Sequence, residues 1–250
     1  MKLVTFNIRC DCDQGTLNVL ENRKPYIRAK INEEQPDLIG FQEVQPHVAA
    51  WLSRALPEYT VIGCGRDADR GGEAMTMAFR KEALSLLDFH TFWLSETPEV
   101  PASRFPGQSI FPRICSRALF REEASGRVFA FYNTHLDHER REARIAQLRL
   151  VLEKIKSESL PVLLTGDFNT TDPQDCVEAL QPEWQELLQE VTSDVGTTFH
   201  GYGQDSMKLD CIFISPDFTC RGVCKWTDVH SGVYLSDHYP VAAWLDWKQD

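Results

Sequence analysis

No stretch of this chain approaches the roughly 20 consecutive apolar residues that a membrane-spanning helix needs. A secretory leader is not expected either. Residues 3–8 alternate as a strand does, with no long apolar run and no small-residue cleavage site. A soluble, cytoplasmic protein is therefore expected. Positive charge is scarce: 26 Lys and Arg stand against 37 Asp and Glu, a formal net charge of −11. A protein that grips nucleic acid through its phosphates needs a basic face, so broad non-specific DNA binding is disfavoured, although a local basic patch remains compatible. Internal repeats, low-complexity tracts and linkers rich in Gly, Ser or Pro are also lacking. With 250 residues, 42% of them hydrophobic, one domain over residues 1–250 is expected. Eight cysteines are present, but neither close pair, Cys10/Cys12 or Cys220/Cys224, has the C-x2-C spacing of a zinc knuckle. Reduced thiols, many of them buried, are the simpler expectation.

What the chain does contain is a series of strand-like runs, over residues 2–8, 37–44, 59–63, 74–80, 84–94, 114–121, 128–135, 162–168, 209–215 and 239–245. Several are almost continuously apolar, as strands covered on both faces are. Helical patterns interrupt them at residues 23–34, 46–56 and 139–157. In the last of these Ile145, Leu148, Leu152 and Ile155 fall on one face. A short helix is expected to begin at Asp172-Pro173, an N-cap followed by proline. Strands alternating with helices in this way predict an α/β fold, a four-layer α/β sandwich in which two mixed β-sheets pack face to face between flanking helices.

Chemistry-bearing residues cluster at the ends of the predicted strands. Asn7 closes the first and Gln42-Glu43 the second. His135 ends Tyr-Asn-Thr-His, and Asp167 and Asn169 lie in Gly-Asp-Phe-Asn. Asp210 opens Asp-Cys-Ile-Phe, and Asp237-His238 lie in Ser-Asp-His-Tyr-Pro-Val. Taken singly each is ordinary: a turn, a solvated strand end or a structural histidine. Together they supply what phosphate-ester hydrolysis requires. Carboxylates suit a hard divalent cation, a carboxylate–histidine pair can draw a proton from water, and Asn and His donors can steady phosphoryl oxygens.

Phe6-Asn7, Gln42-Glu43, Asn133-Thr134-His135-Leu136, Gly166-Asp167-Phe168-Asn169, Asp210-Cys-Ile-Phe and Ser236-Asp237-His238-Tyr-Pro-Val together resemble the successive motifs of the endonuclease/exonuclease/phosphatase superfamily, in that family's order. A second layer is similar to a little-characterised bacterial and fungal branch of hydrolases: Gly65-Arg66-Asp67, Gly72-Glu73, Phe92 to Glu99 and Thr134 to His138. The resemblance implies a phosphoesterase dependent on magnesium or manganese. By the same resemblance Glu43 is the principal metal ligand, with Asn7 and Asp237 near the metal or its waters. Asp210 orients His238, which draws a proton from water. Asp167 and Asn169 position water and phosphate, and His135 serves a phosphoryl oxygen or the leaving group.

One departure matters. Many nuclease relatives carry an acidic residue where this chain has Arg9, which puts a second metal ligand in doubt and offers a phosphate contact instead. Arg66, Glu73 and Arg113 are further candidates for substrate contact, and Arg117 shares a strand with the last. The expected substrate is a small, sugar- or lipid-linked phosphate ester. Arg70 and Arg104 join Arg66 in the segments expected to wall its pocket. A nuclease or 3′ exonuclease is the competing reading, and an inactive binding module of the same fold is the alternative from another class. The module reading expects a replaced catalytic Glu, Asp or His, and none is replaced.

Overall fold

The computed structural model describes residues 1–170 and 182–249. The first half runs β1 (Lys2–Asn7), α1 (Leu20–Glu34), β2 (Leu38–Val44), α2 (Pro46–Ala55), β3 (Tyr59–Ile62), β4 (Ala74–Arg80), β5 (Leu84–Trp93) and β6 (Ile114–Glu122). Then follow β7 (Val128–His135), α3 (Arg141–Lys156), β8 (Val162–Asp167), α4 (Glu183–Leu187) and β9 (Gln189–Glu190). The chain continues through β10 (Asp210–Ile214), β11 (Phe218–Lys225), β12 (Val229–His230), β13 (Val233–Tyr234) and β14 (Val241–Trp247). Two mixed six-stranded sheets result, ordered β11-β14-β1-β2-β4-β3 and β5-β6-β7-β8-β10-β9. Each holds one parallel pair, β1 with β2 and β7 with β8, whose crossovers are α1 and α3. Parallel neighbours need such a long connection, whereas an antiparallel pair such as β6 and β7 can close through a short one.

Three apolar layers hold this arrangement. Between the sheets Leu3, Leu38, Met77 and Phe79 meet Phe120, Phe129, Phe131, Leu163 and Ile212. Outside the first sheet, α1 and α2 cover Phe6, Ile39 and Phe41 with Ile27, Ile31, Val48 and Leu52. Outside the second, α3 and Trp184 of α4 cover Tyr132, Leu164 and Phe213. Burying each such side chain contributes roughly 1.5–3 kcal/mol. The four-layer sandwich is therefore as the sequence pattern predicts. No helix among the described residues is long and apolar enough to cross a membrane.

The differences from expectation have physical reasons. The seam of α3 is Ala143, Gln147, Leu148, Val151, Leu152 and Ile155, with Ile145 only half-buried. Gln147 is drawn inward because its Oε1 accepts Asp137 N (2.8 Å). β11 is an additional edge strand, with a bulge between Cys220 and Gly222 that hides its periodicity. The helix expected at Asp172 lies outside the described residues. The seven described cysteines are free. Among the described residues, the group of His, Cys, Asp and Glu side chains that could gather on a metal contains no cysteine.

A buried polar bridge crosses between the sheets. Asn133 of β7, fully buried, donates Nδ2 to Phe41 O (2.8 Å) and Thr76 O (3.3 Å) of the facing sheet. Its Oδ1 accepts Gln42 Nε2 (2.7 Å) and Thr165 Oγ1 (3.1 Å). The strands approach so closely here that a Cβ on Gly40 would stand 2.3 Å from Thr165 Oγ1 and 2.8 Å from Asn133 Oδ1. Replacing Asn133 with Leu strands these donors and acceptors in a dry interface. Urea unfolding should show a loss of about 2–4 kcal/mol, the sum for two unsatisfied buried groups. A midpoint unchanged from the parent would contradict the bridge's role.

Candidate active site

Three strands of the second sheet deliver their polar residues in a row. The register sets His135 opposite Asp167 and Asp167 opposite Asp210, so the three share one face at one edge. In the first sheet Asn7 ends β1 opposite Gln42 of β2. Glu43 follows within a β-bulge, where the register shifts between Phe41 and Val44, and its φ is +63°. A bulge re-aims a side chain, and here it brings Glu43 to Asn7. Arg9 (φ +61°) and Asn169 (φ +49°) are also left-handed. Non-glycine residues rarely adopt this region, and such strain concentrates at functional sites.

Asp237 and His238 arrive from the loop between β13 and β14, which is tied down from several sides. Ser236 Oγ donates to Asn7 O (2.7 Å), and Tyr239 N donates to Thr198 O (2.7 Å). The guanidinium of fully buried Arg23 donates to Ile8 O (2.6 Å), Leu235 O (3.0 Å) and Asn18 O (2.8 Å). That clamp joins the segment after β1 to the His238 loop. It also explains why α1 starts at Leu20, ahead of the predicted residue 23, because the clamp holds its first turn. The residue types alone do not single out Arg23. Its signal is positional: it sits on the buried stripe of α1 with Leu20, Ile27 and Ile31, where a charge needs a partner.

The side chains converge within hydrogen-bond distance. His238 Nδ1 lies 2.8 Å from Asp210 Oδ2, both residues at most 5% exposed. On the other edge of the ring, His238 Nε2 lies 3.4 Å from Asn7 Nδ2 and 3.7 Å from Asp167 Oδ2. Asn7 Nδ2 donates to Glu43 Oε1 and Asp167 Oδ2, each at 3.0 Å. Glu43 Oε2 accepts Cys10 N at 2.8 Å, a main-chain contact that sequence motifs do not reveal. Asn169 donates Nδ2 to His135 Nε2 (2.8 Å) and to Leu136 O (3.0 Å). Arg9 Nε is 3.5 Å from Asp237 Oδ2.

Burial sets the charge states and neighbours correct them. For Glu43, desolvation opposes ionisation, but hydrogen bonds from Asn7 and Cys10 N outweigh it and hold the carboxyl below its ordinary value. Burial raises Asp167 to about 7, with His238 pulling it down and Asp210 pushing it up. Burial also lifts Asp237 above its ordinary value. Desolvation would lower His238, yet Asp210 and Asp167 reverse this and raise it to about 10. His135 goes the other way: burial, then the charges of Arg113 and Arg66, push it well below its ordinary value, so it is neutral. A neutral ring agrees with Nε2 accepting from Asn169.

A cleft of about 400 Å³ opens over these groups and gathers almost every predicted residue. Arg9, Glu43, Arg66, Glu73, Arg113, His135, Asp167, Asn169, Asp237 and His238 line it. Asn7 and Asp210 lie beneath, bonded to those that do. His138, the end of the Thr134–His138 motif, adds a wall, as do Phe111, Phe199, Met207 and Leu209, which no motif announces. Three arginines stand elsewhere. Arg117 turns away to Glu158 (2.8 Å) and Asp88 (2.7 Å), Arg104 donates to Ser109 O (3.1 Å), and Arg70 lines a separate hollow beside α2. The loop that carries Ser109 is held to the site by fully buried Asp137, whose Oδ2 accepts Ser109 N (3.0 Å).

The family model described as endonuclease/exonuclease/phosphatase matches residues 4–238 of this chain. Among solved structures, an endonuclease/exonuclease/phosphatase from Bacteroides vulgatus is 33% identical, with a TM-score of 0.91 over 99% of this chain and 98% of that one. A mannosyl-6-phosphatase from Bacteroides thetaiotaomicron VPI-5482 is 28% identical, with a TM-score of 0.88 over 99% of this chain and 100% of its own. An uncharacterised protein of Acanthamoeba polyphaga mimivirus is 29% identical over 160 residues, 61% of this chain and 60% of the viral one.

His200 sits behind the loop that carries Asp237 and His238, 3% exposed, its ring centroid 3.9 Å from Tyr239 and 4.8 Å from Tyr234. Burial, with the charge of His238, lowers it to about 4. In the unfolded chain it titrates near 6.5, so as pH falls from there toward 4 the unfolded chain takes a proton that the fold refuses. Its contribution to stability is complete above the higher value and drains away through that window. Thermal melts at pH 7 and pH 5 should therefore show a smaller drop in Tm for His200→Phe than for the parent. Equal drops would mean that His200 is not held neutral.

Proposed function

The chain belongs to the endonuclease/exonuclease/phosphatase family, and we propose that it is a divalent-cation-dependent hydrolase of a small phosphate ester, acting through water that His238 deprotonates. Family membership supports a phosphoesterase in general. The observation that carries the finer reading is the 2.8 Å contact of Asp210 Oδ2 with His238 Nδ1, which leaves Nε2 toward the carboxylate-lined cleft. That is the geometry of an oriented general base.

The donor set fits a hard dication. Glu43, Asp167 and Asp237 are carboxylates with Asn7 among them, and burial holds Asp167 and Asp237 above their ordinary range, the condition of anions short of a counter-charge. Asp167, Asp210 and His238 form the tightest such cluster. Asp210 and His238 bond one another, however, so Glu43, Asp237 and Asp167 are the better holders. A magnesium or manganese ion there supplies Lewis acidity and offsets the negative charge that keeps His238 protonated.

The protein's own groups then have distinct work. Asp210 fixes the His238 ring and stabilises the imidazolium that forms when Nε2 takes the proton of water. Asp167 and Asn7 hold the water's approach beside Nε2. Asn169, whose two amide hydrogens go to His135 Nε2 and Leu136 O, fixes the His135 ring beside the phosphate. His135, uncharged, carries the leaving-group side. Arg9 and Arg113 supply positive charge to the phosphate.

A cleft of about 400 Å³ suits a compact ligand, and the net charge of −11 disfavours a polyanion. The likeness to a mannosyl-6-phosphatase supports a phosphorylated sugar over a nucleic acid. Assays of phenyl phosphate and mannose 6-phosphate should show turnover with magnesium or manganese and none in excess chelator. His238→Ala should lower kcat by about 10²–10⁴, with Tm within a few degrees of the parent. Strong inhibition by duplex DNA or oligoadenylate, relieved steeply by salt, would instead identify a nuclease.

A further inference from the structure

The phosphoryl chemistry above leaves the far wall of the cleft unexplained. Arg66 is 7% exposed, and its Nη1 stands 2.9 Å from Glu73 Oε2 in an ion pair. Both residues line the cleft that holds His238 and Asp167. The Arg66 guanidinium lies 4.7 Å over the Phe111 ring, which fixes its plane. A buried ion pair is weak evidence for a stabilising role, and the loop that carries this one is held by its main chain. Gly65 N donates to Arg70 O (3.0 Å), Arg66 N to Glu73 O (3.0 Å) and Asp67 N to Gly71 O (3.1 Å). Trp93 Nε1 donates to Arg66 O (2.6 Å). A Cβ on Gly65 would stand 1.9 Å from Gly71 O, so the turn admits no looser packing. The side chains are thus presented rigidly without being needed to make the turn.

We propose that the Arg66–Glu73 pair is a hydroxyl-recognition subsite that selects a polyol, such as a hexose, as the phosphate-bearing substrate; this rests on the phosphoesterase reading of the same cleft. Arg66 alone would bind an anion. With Glu73 on it, the pair is close to neutral and its carboxylate repels a second phosphate, which disfavours bisphosphates and polynucleotides. An uncharged hydroxyl can use both partners, donating to the Glu73 carboxylate and accepting from an N–H of the Arg66 guanidinium. Two neighbouring hydroxyls on a ring match the fork of a guanidinium beside a carboxylate. The Phe111 ring backs that fork and limits the water that competes for it.

The test compares Glu73→Gln with the parent, magnesium-loaded, on mannose 6-phosphate and on phenyl phosphate, which has no hydroxyl to offer. The variant should raise KM for mannose 6-phosphate by roughly tenfold or more, with a smaller change in kcat, because a site built for a hydroxyl discriminates on it. Phenyl phosphate kinetics should stay within about threefold, which also shows that the variant is folded and its phosphoryl site intact. Equal losses on both esters would make Glu73 part of the phosphoryl machinery and overturn the subsite, as would no loss on either. Parent turnover of phenyl phosphate but not mannose 6-phosphate overturns the subsite alone. If the parent turns over neither ester, the small-phosphate-ester reading falls, and the subsite with it.

Discussion

The hydrogen-bonded bridge between the sheets is the contact on which the site depends. Asn133 meets Phe41 O, Gln42 Nε2 and Thr165 Oγ1 where β7 and β8 face β2. One or two residues later those strands carry Glu43, His135 and Asp167. A dry apolar interface alone lets two sheets slide past one another at small cost, because apolar contact is not directional. Directional bonds inside it remove that freedom. Side chains from separate sheets can then stay within hydrogen-bond distance, as Asn7 does with Asp167 at 3.0 Å.

With the sheets held in register, electrostatics does the rest. The carboxylates Glu43, Asp167, Asp210 and Asp237 collect around His238, with Arg9 and Arg113 at the margin. Like charges held together in a partly dry cleft repel, and desolvation adds to the penalty, which is why burial raises Asp167 and Asp237. The fold tolerates this because the groups stand on strand ends whose backbone bonds are already satisfied. Left-handed Glu43, Arg9 and Asn169 add local strain at the same place. A region destabilised in several ways at once, on a well-packed scaffold, is what a chemical site looks like energetically.

Much of this is visible in residue order. Strand-end polar residues can be read directly, because a run such as Val-Phe-Ala-Phe-Tyr-Asn-Thr-His turns from apolar to polar where the sheet emerges from its covering helices. The twelve residues given catalytic, metal or substrate roles from the sequence line the cleft or bond to those that do, whereas Arg70, Arg104 and Arg117, also named from the sequence, stand elsewhere. Hidden from the sequence are contacts made by the main chain or by residues of ordinary type. Cys10 N on Glu43 and the Arg23 clamp carry no motif, and the motif that holds Asp137 does not announce its tie to Ser109. Arg113 and Arg117 show the limit from the other direction. They are four apart on or beside one strand, yet one lines the cleft and the other pairs with Glu158 on the outside.

By itself the sequence determined the layers and the inventory. The period of its apolar residues sets which faces are buried, and the six motifs set which functional groups stand at strand ends, because both follow from local geometry. The tertiary structure alone decided that Glu43 is turned inward by a bulge and that Arg66 is neutralised by Glu73, and it supplied the contact by which Asp210 takes His238, a pairing the resemblance implied. Asp210 with His238 and Glu43 with Asn7 join residues 28 and 36 apart in sequence, and Asn7 with Asp167 joins residues 160 apart. Those distances are set by how two twisted sheets pack, a property of the whole chain that no local stretch encodes.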